Sequence, residues 1–183
     1  MGARLPVRLA SAMSLGGSMK FPRTLWDLLR GPSRMPAQAA SPTRRRKQTA
    51  QQDRYDQLVD QMKATWSIRI HKWRNSTSGC AWELRDRQGE ITRMIEAPYP
   101  RGPMSCVVFL HEVGHHAMGF NCGQPRCMEE YLAWDWAIRE MTARGFNVTD
   151  RVRTRRDAAM RYALHKAVRR GIKRIPSELV QWL

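Results

Sequence analysis

Residues 109–116 read Phe-Leu-His-Glu-Val-Gly-His-His, FLHEVGHH in one-letter code. How this stretch is folded decides how the rest of the chain is read. An α-helix turns once in about 3.6 residues, so side chains four apart share a face. As a helix, the stretch stacks His111 over His115 and sets Glu112 to one side of them. Val107, Val108, Phe109 and Leu110 precede the first imidazole and bury the turns that lead to it. Ser105 is the expected N-cap, and Gly119, after Met118, the expected terminator. Gly114 costs about 1 kcal/mol of helix propensity relative to alanine, which points to another element approaching closely there.

On the N-terminal side the pattern is mixed. QQDRYDQLVDQMKATW places Tyr55, Leu58, Val59 and Met62 at helical spacing, which predicts a helix from Asp53 to Thr65. Trp66, Ile68 and Ile70 then alternate with polar residues, as in a half-buried strand. Two further short strands are expected at Ala81–Arg85 and Glu90–Ile95, joined across Arg87-Gln88-Gly89. On the C-terminal side, Pro125 can open a helix that runs to Arg144, before Gly145. A basic helix follows from Arg151 to Arg170, with Ala158, Ala159, Tyr162, Ala163, Ala167 and Val168 available for packing. The expected fold is α+β: a small antiparallel sheet packed on the helix of the opening stretch and on further helices.

Charge divides the chain into three parts. Residues 1–50 hold ten basic side chains and one acidic, residues 51–150 twelve and thirteen, and residues 151–183 ten and two. The formal charge of +16 therefore lies in the flanks: a basic irregular tail (1–50), a near-neutral α+β domain (51–150), and a basic helix with its tail (151–183). Such flanks point to nucleic acid or another anionic surface as a partner, although no helix-turn-helix or finger signature is present. In the tail, TLWDLLR (residues 24–30) can form a short helix or a docking segment. The first residues, Arg-bearing and free of acid, have the composition of a transit peptide. They read equally as a basic extension ahead of a start at Met19. A cytoplasmic location is expected, with organellar targeting as the alternative. The four cysteines contain no CxxC pair and are expected as free thiols, Cys122 and Cys127 included. No apolar run reaches the roughly 20 residues of a membrane span.

His111 and His115 can meet on one tetrahedral zinc ion, with nitrogen–metal distances of about 2.0–2.1 Å. Glu112, off that line, can act as general base toward a water at the ion without taking a coordination place. A catalytic zinc also needs a third protein ligand. No histidine follows His116 until His165, so the third ligand is sought in Glu129 or Glu130. From Glu130 the same-face positions Ala133, Trp134, Ala137 and Met141 are all apolar, whereas the face of Glu129 ends at Glu140, and this favours Glu130. His116 is expected at the surface or behind the ligands. Tyr99 and Tyr131 read as packing residues that could also polarise a carbonyl.

HEVGH followed by EEYLAWDWA resembles the small gluzincin-type metallopeptidases, in particular the ImmA/IrrE-like family, over His111 to Ala137. The family's Glu-x-Glu-Ala is not matched at its second glutamate, where Leu132 stands. The resemblance implies zinc, protein or peptide substrates and hydrolysis of peptide bonds, and Ile91–Ile95 could then align an extended substrate. The competing expectation is a nucleic-acid- or ribonucleoprotein-associated basic protein whose metal site is structural or vestigial.

Overall fold

The computed structural model of the protein describes residues 49–120 and 123–183. The expectations for the tail before Thr49, its short helix included, and for Cys122 lie outside the described residues. Helix α1 (Ala50–Trp66) starts at Thr49, whose hydroxyl accepts the Gln52 N–H at 3.3 Å. It buries Tyr55, Leu58, Val59 and Met62, the face that the periodicity predicts. Ser67 adopts a left-handed conformation (φ 51°) and ends the helix. Trp66 is therefore the last helical residue instead of the first of the strand, and its ring meets Trp136 edge-on at 6.1 Å.

Three strands follow: β1 (Ile68–Arg74), β2 (Cys80–Arg85) and β3 (Ile91–Pro98). Their order in the sheet is β1-β3-β2, with β3 parallel to β1 and antiparallel to β2. The sheet is thus mixed and not wholly antiparallel. The chain leaves β1 through residues 75–79 and lays β2 one strand further out. β3, the strand with fully buried Ile95 and Ala97, fills the slot between them. A register shift between Ile70 and Lys72 interrupts β1. There His71 Nδ1 lies 2.7 Å from Glu96 Oε1, and Glu96 also accepts from the Arg74 Nε at 2.8 Å. Because β3 is bonded on both sides, the expectation that Ile91–Ile95 receives a substrate strand is overturned. The outer edge of β2 is unpaired in the sheet.

Helix α2 (Pro103–Met118) carries FLHEVGHH. Gly102 is its cap, and Ser105 sits inside the first turn instead of ahead of it. The Ser105 hydroxyl reaches back to accept the N–H groups of Arg101 (2.9 Å) and Gly102 (3.2 Å), half of a capping box. Every residue from Cys106 to His116 is buried. A helix enclosed on all sides is apolar all round, and here the sheet covers one side and helix α3 (Arg126–Ala143) another.

Helix α4 (Asp150–Arg169) is capped by Thr149 and packs on α3. It meets the core through Val152, Met160 and Leu164, its large apolar side chains, while Ala159, Ala163 and Ala167 are half-buried beside them. Tyr162 (63 % exposed) and Val168 (46 %), expected to pack, point outward. A 3-10 helix (Ser177–Trp182) buries Leu179 and Trp182, and the Trp182 Nε1 donates to Asp157 Oδ1 at 3.1 Å. The described residues, 49–120 and 123–183, belong to one compact unit. Among the described residues no helix is long and apolar enough to cross a membrane.

The α2–α3 contact has no spare room. A methyl group at Gly114 would lie 2.8 Å from the Ala133 carbonyl oxygen and 3.2 Å from both Ala133 Cα and Trp136 Cε3. Alanine gains about 1 kcal/mol of propensity, but overpacking against backbone costs about 1–3 kcal/mol. Gly114→Ala is therefore expected to lower the denaturant midpoint, the reverse of what an isolated helix would do. An unchanged or raised midpoint would show that the two helices can separate freely.

Candidate metal centre

Helix α2 presents His111 and His115 on successive turns, with ring centroids 4.6 Å apart. Helix α3 brings Glu130 to them from across the Gly114 contact. Glu130 Oε2 lies 3.4 Å from His111 Nε2 and 3.7 Å from His115 Nε2. These separations exceed the 2.7–3.2 Å of good N–H···O hydrogen bonds. They approach the edges of a tetrahedron: bonds of about 2.0–2.1 Å set neighbouring ligand atoms about 3.3–3.4 Å apart. His111, His115 and Glu130 thus form a group that could hold a metal ion, with all three ligand atoms within 4.8 Å of one another.

Glu129, the alternative candidate, is not in the group. Its buried carboxylate accepts from Arg126 Nη1 at 3.0 Å, while Arg126 Nη2 pairs with Glu130 Oε1 at 3.0 Å. One guanidinium thus ties the two neighbouring glutamates, leaving Glu130 Oε2 to face the imidazoles. The Trp134 ring stacks on His111 at 4.5 Å and fixes its plane. His111 Nδ1, buried behind, has no hydrogen-bond partner among the described residues.

Charge states in the metal-free site follow from burial. Burial, and then the nearby His111, hold His115 down to about 3, so the ring is neutral and its nitrogen free to bind a cation. Burial works against ionisation of Glu130, but His111, His115 and Arg126 outweigh it and bring its carboxyl to about 2. Glu112 goes the other way. Burial, reinforced by the charge of Glu130, raises its carboxyl to about 8. Two neighbouring carboxyl groups thus differ widely in proton affinity, Glu130 held charged and Glu112 held toward its neutral form.

Glu112 is held from a direction that the sequence does not announce. A Cβ at Gly79, the last residue of the turn before β2, would overlap the Oε1, Cγ and Cδ atoms of Glu112. The backbone there lies directly on the carboxyl group. His116, expected at the surface or behind the ligands, is buried. A carbonyl can only accept, so its Nε2 carries the proton and donates to Met94 O at 3.1 Å, tying α2 to β3. Tyr99 donates to Asp56 at 2.7 Å and packs on Trp73, and Tyr131 packs against Trp182. Neither lines the cleft beside the site, so neither is placed to polarise a carbonyl. Cys80, Cys106 and Cys127 are free thiols.

That cleft has a volume of about 620 Å³, the size of a small-ligand or peptide subsite. His111, Glu112 and Glu130 line one side and the alanine-rich face of α4 the other, with Thr77–Gly79 at one margin. Comparison with protein-family models, with curated proteins and with solved structures finds no match to this chain.

The raised Glu112 carboxyl carries a sign that can be measured. A carboxyl whose folded value lies above its unfolded value stabilises the fold fully below the unfolded value of about 4.5. That contribution disappears as pH rises through about 8. In metal-free protein, Glu112→Gln is expected to gain thermal stability over wild type as pH rises from about 6 to about 9, as read by calorimetry. A constant difference across that range would mean that Glu112 does not take up a proton on folding.

Proposed function

We propose that the protein is a zinc-dependent metallopeptidase that hydrolyses peptide bonds, the activity implied by the likeness of HEVGH and EEYLAWDWA to ImmA/IrrE-like peptidases. The observation that carries this reading is the convergence of His111, His115 and Glu130 beside the buried carboxyl of Glu112. Two imidazoles and one carboxylate are a catalytic zinc donor set that leaves a position open. When bound there, zinc supplies Lewis acidity toward water and the scissile carbonyl. Glu112, pressed into place by Gly79, takes a proton from the attacking water at its carboxylate and can pass it to the departing amine. Trp134 and Arg126 orient His111 and Glu130, and the cleft gives the substrate a partly water-excluded bed.

Three variants separate the roles. Metal analysis of purified protein is expected to give about one zinc per chain. Glu130→Ala should lose it and Glu129→Ala should keep it. Glu112→Gln should keep zinc while peptide cleavage falls by about 10²–10⁴-fold, the usual worth of a general base. Gly79→Ala should also keep zinc and lose rate, because the new methyl displaces the Glu112 carboxylate. Protein without zinc, or a Glu112→Gln variant as active as wild type, would refute the reading.

A further inference from the structure

The basic helix α4 was read from sequence as a flank, with its alanines packed away. In the structure, one of its faces is a wall of the cleft. Arg155, Ala159, Tyr162, Lys166 and Arg170 are among the residues of that wall. They recur at steps of three or four, so they share one helical face. From Arg155 to Arg170 the wall spans fifteen residues, about 22 Å at about 1.5 Å per residue. That length accommodates about six or seven residues of an extended peptide at about 3.3 Å each.

The cations of this wall have no acidic partners among the described residues. Several other arginines are ion-paired: Arg74 with Glu96, Arg126 with Glu129 and Glu130, Arg139 with Asp135, Arg144 with Glu140, Arg156 with Asp157. Arg155 only reaches the Thr77 carbonyl at 3.5 Å, and the Lys166 ammonium lies 5.9 Å from the centre of the Tyr162 ring. Tyr162 is itself largely exposed. Small alanine side chains between the cations leave the helix surface open to a backbone lying along it.

We propose that this face of α4 is the specificity wall of the cleft and selects peptides that carry Asp or Glu side chains beside the bond to be cut. The inference rests on the peptidase reading. That reading sets a peptide backbone beside His111, Glu112 and Glu130, and the acidic side chains of that peptide would then face the cations of the opposite wall. Nucleic acid drawn to the same cations is the competing outcome of the test. Arg155, at the Thr77–Gly79 margin and so near the element that presses on Glu112, would read a side chain close to the reacting bond. Lys166 and Arg170 would read side chains further along the wall.

Binding to the full-length, zinc-loaded Glu112→Gln protein tests this without turnover. The probes are fluorescein-labelled decapeptides of alternating Glu-Ala, Gln-Ala and Lys-Ala, and a uridine decanucleotide, read by anisotropy at physiological salt. The Glu-Ala peptide is expected to bind about tenfold or more tighter than the Gln-Ala peptide, and the Lys-Ala peptide more weakly still. Adding Lys166→Glu with Arg170→Glu should erase the preference with zinc content unchanged. Adding Arg153→Glu with Arg161→Glu, the same change of charge on exposed residues outside the cleft, should preserve it. Equal binding of the Glu-Ala and Gln-Ala peptides would overturn the inference, as would equal losses in the two double variants. A decanucleotide that outcompetes the Glu-Ala peptide and depends on Lys166 and Arg170 would overturn it in favour of nucleic acid. If the charge preference holds but wild type cleaves none of the peptides, the wall stands as a binding site and the peptidase reading fails.

Discussion

The close approach of α2 and α3 at Gly114 is the constraint on which the site depends. With no side chain at Gly114, the backbone of Ala133 comes within contact of α2. Only at that separation can a side chain as short as glutamate, one turn earlier on α3, reach two imidazoles on α2. The interaxial distance of packed helices is normally about 8–10 Å and set by the residues at the contact. A larger residue at 114 would move Glu130 outward along with its helix. The glycine's cost in helix propensity is thus repaid in coordination geometry, and fold and site share one packing decision.

The second constraint acts on Glu112 from the sheet. The turn between β1 and β2 ends at Gly79, whose backbone covers the carboxyl group. The order β1-β3-β2 makes this contact. With β2 as the outer strand and β3 in the middle, the turn that leads into β2 reaches α2, while His116 anchors the same helix to β3. Sheet and helix are tied on both sides of the motif: at Glu112 by steric contact, at His116 by a hydrogen bond.

What the sequence made legible was local. Caps, breakers and apolar spacing placed every helix of the compact unit except the short C-terminal 3-10 helix, and placed the three strands within a few residues. The motif with its neighbouring glutamates marked out the residues that converge. What it left open was long-range. Nothing in NSTSG tells that Gly79 will rest on Glu112, because that contact depends on how the sheet lies on α2. The parallel pairing of β1 with β3, where an antiparallel sheet was expected, was hidden for the same reason: alternation shows that a segment is a strand but not which neighbour it pairs with. The packing face of α4 was misjudged because alanines fit equally at a core edge and on an open wall. Val152, Met160 and Leu164, larger and equally periodic, took the core.

The burden of polar groups inside α2 and α3 gives the strongest argument that the cluster exists for chemistry. His111, Glu112, His115, His116 and Glu129 are all buried. Burying such groups costs free energy unless each finds a partner, and replacing buried charge with well-packed apolar residues is often neutral or stabilising. Glu129 is paired with Arg126, and His116 donates one nitrogen to the Met94 carbonyl, while its Nδ1, like that of His111, is buried without a hydrogen-bond partner among the described residues. Burial holds His115 neutral and drives Glu112 toward protonation. A network built for stability would pair these groups at hydrogen-bond distance. Instead, the imidazole nitrogens stand off from Glu130 by 3.4 and 3.7 Å, a spacing poor for hydrogen bonds and suited to a shared cation between them. The site is therefore costly as a piece of structure and economical as a ligand set, which is the balance expected where function, and not stability, fixes the residues.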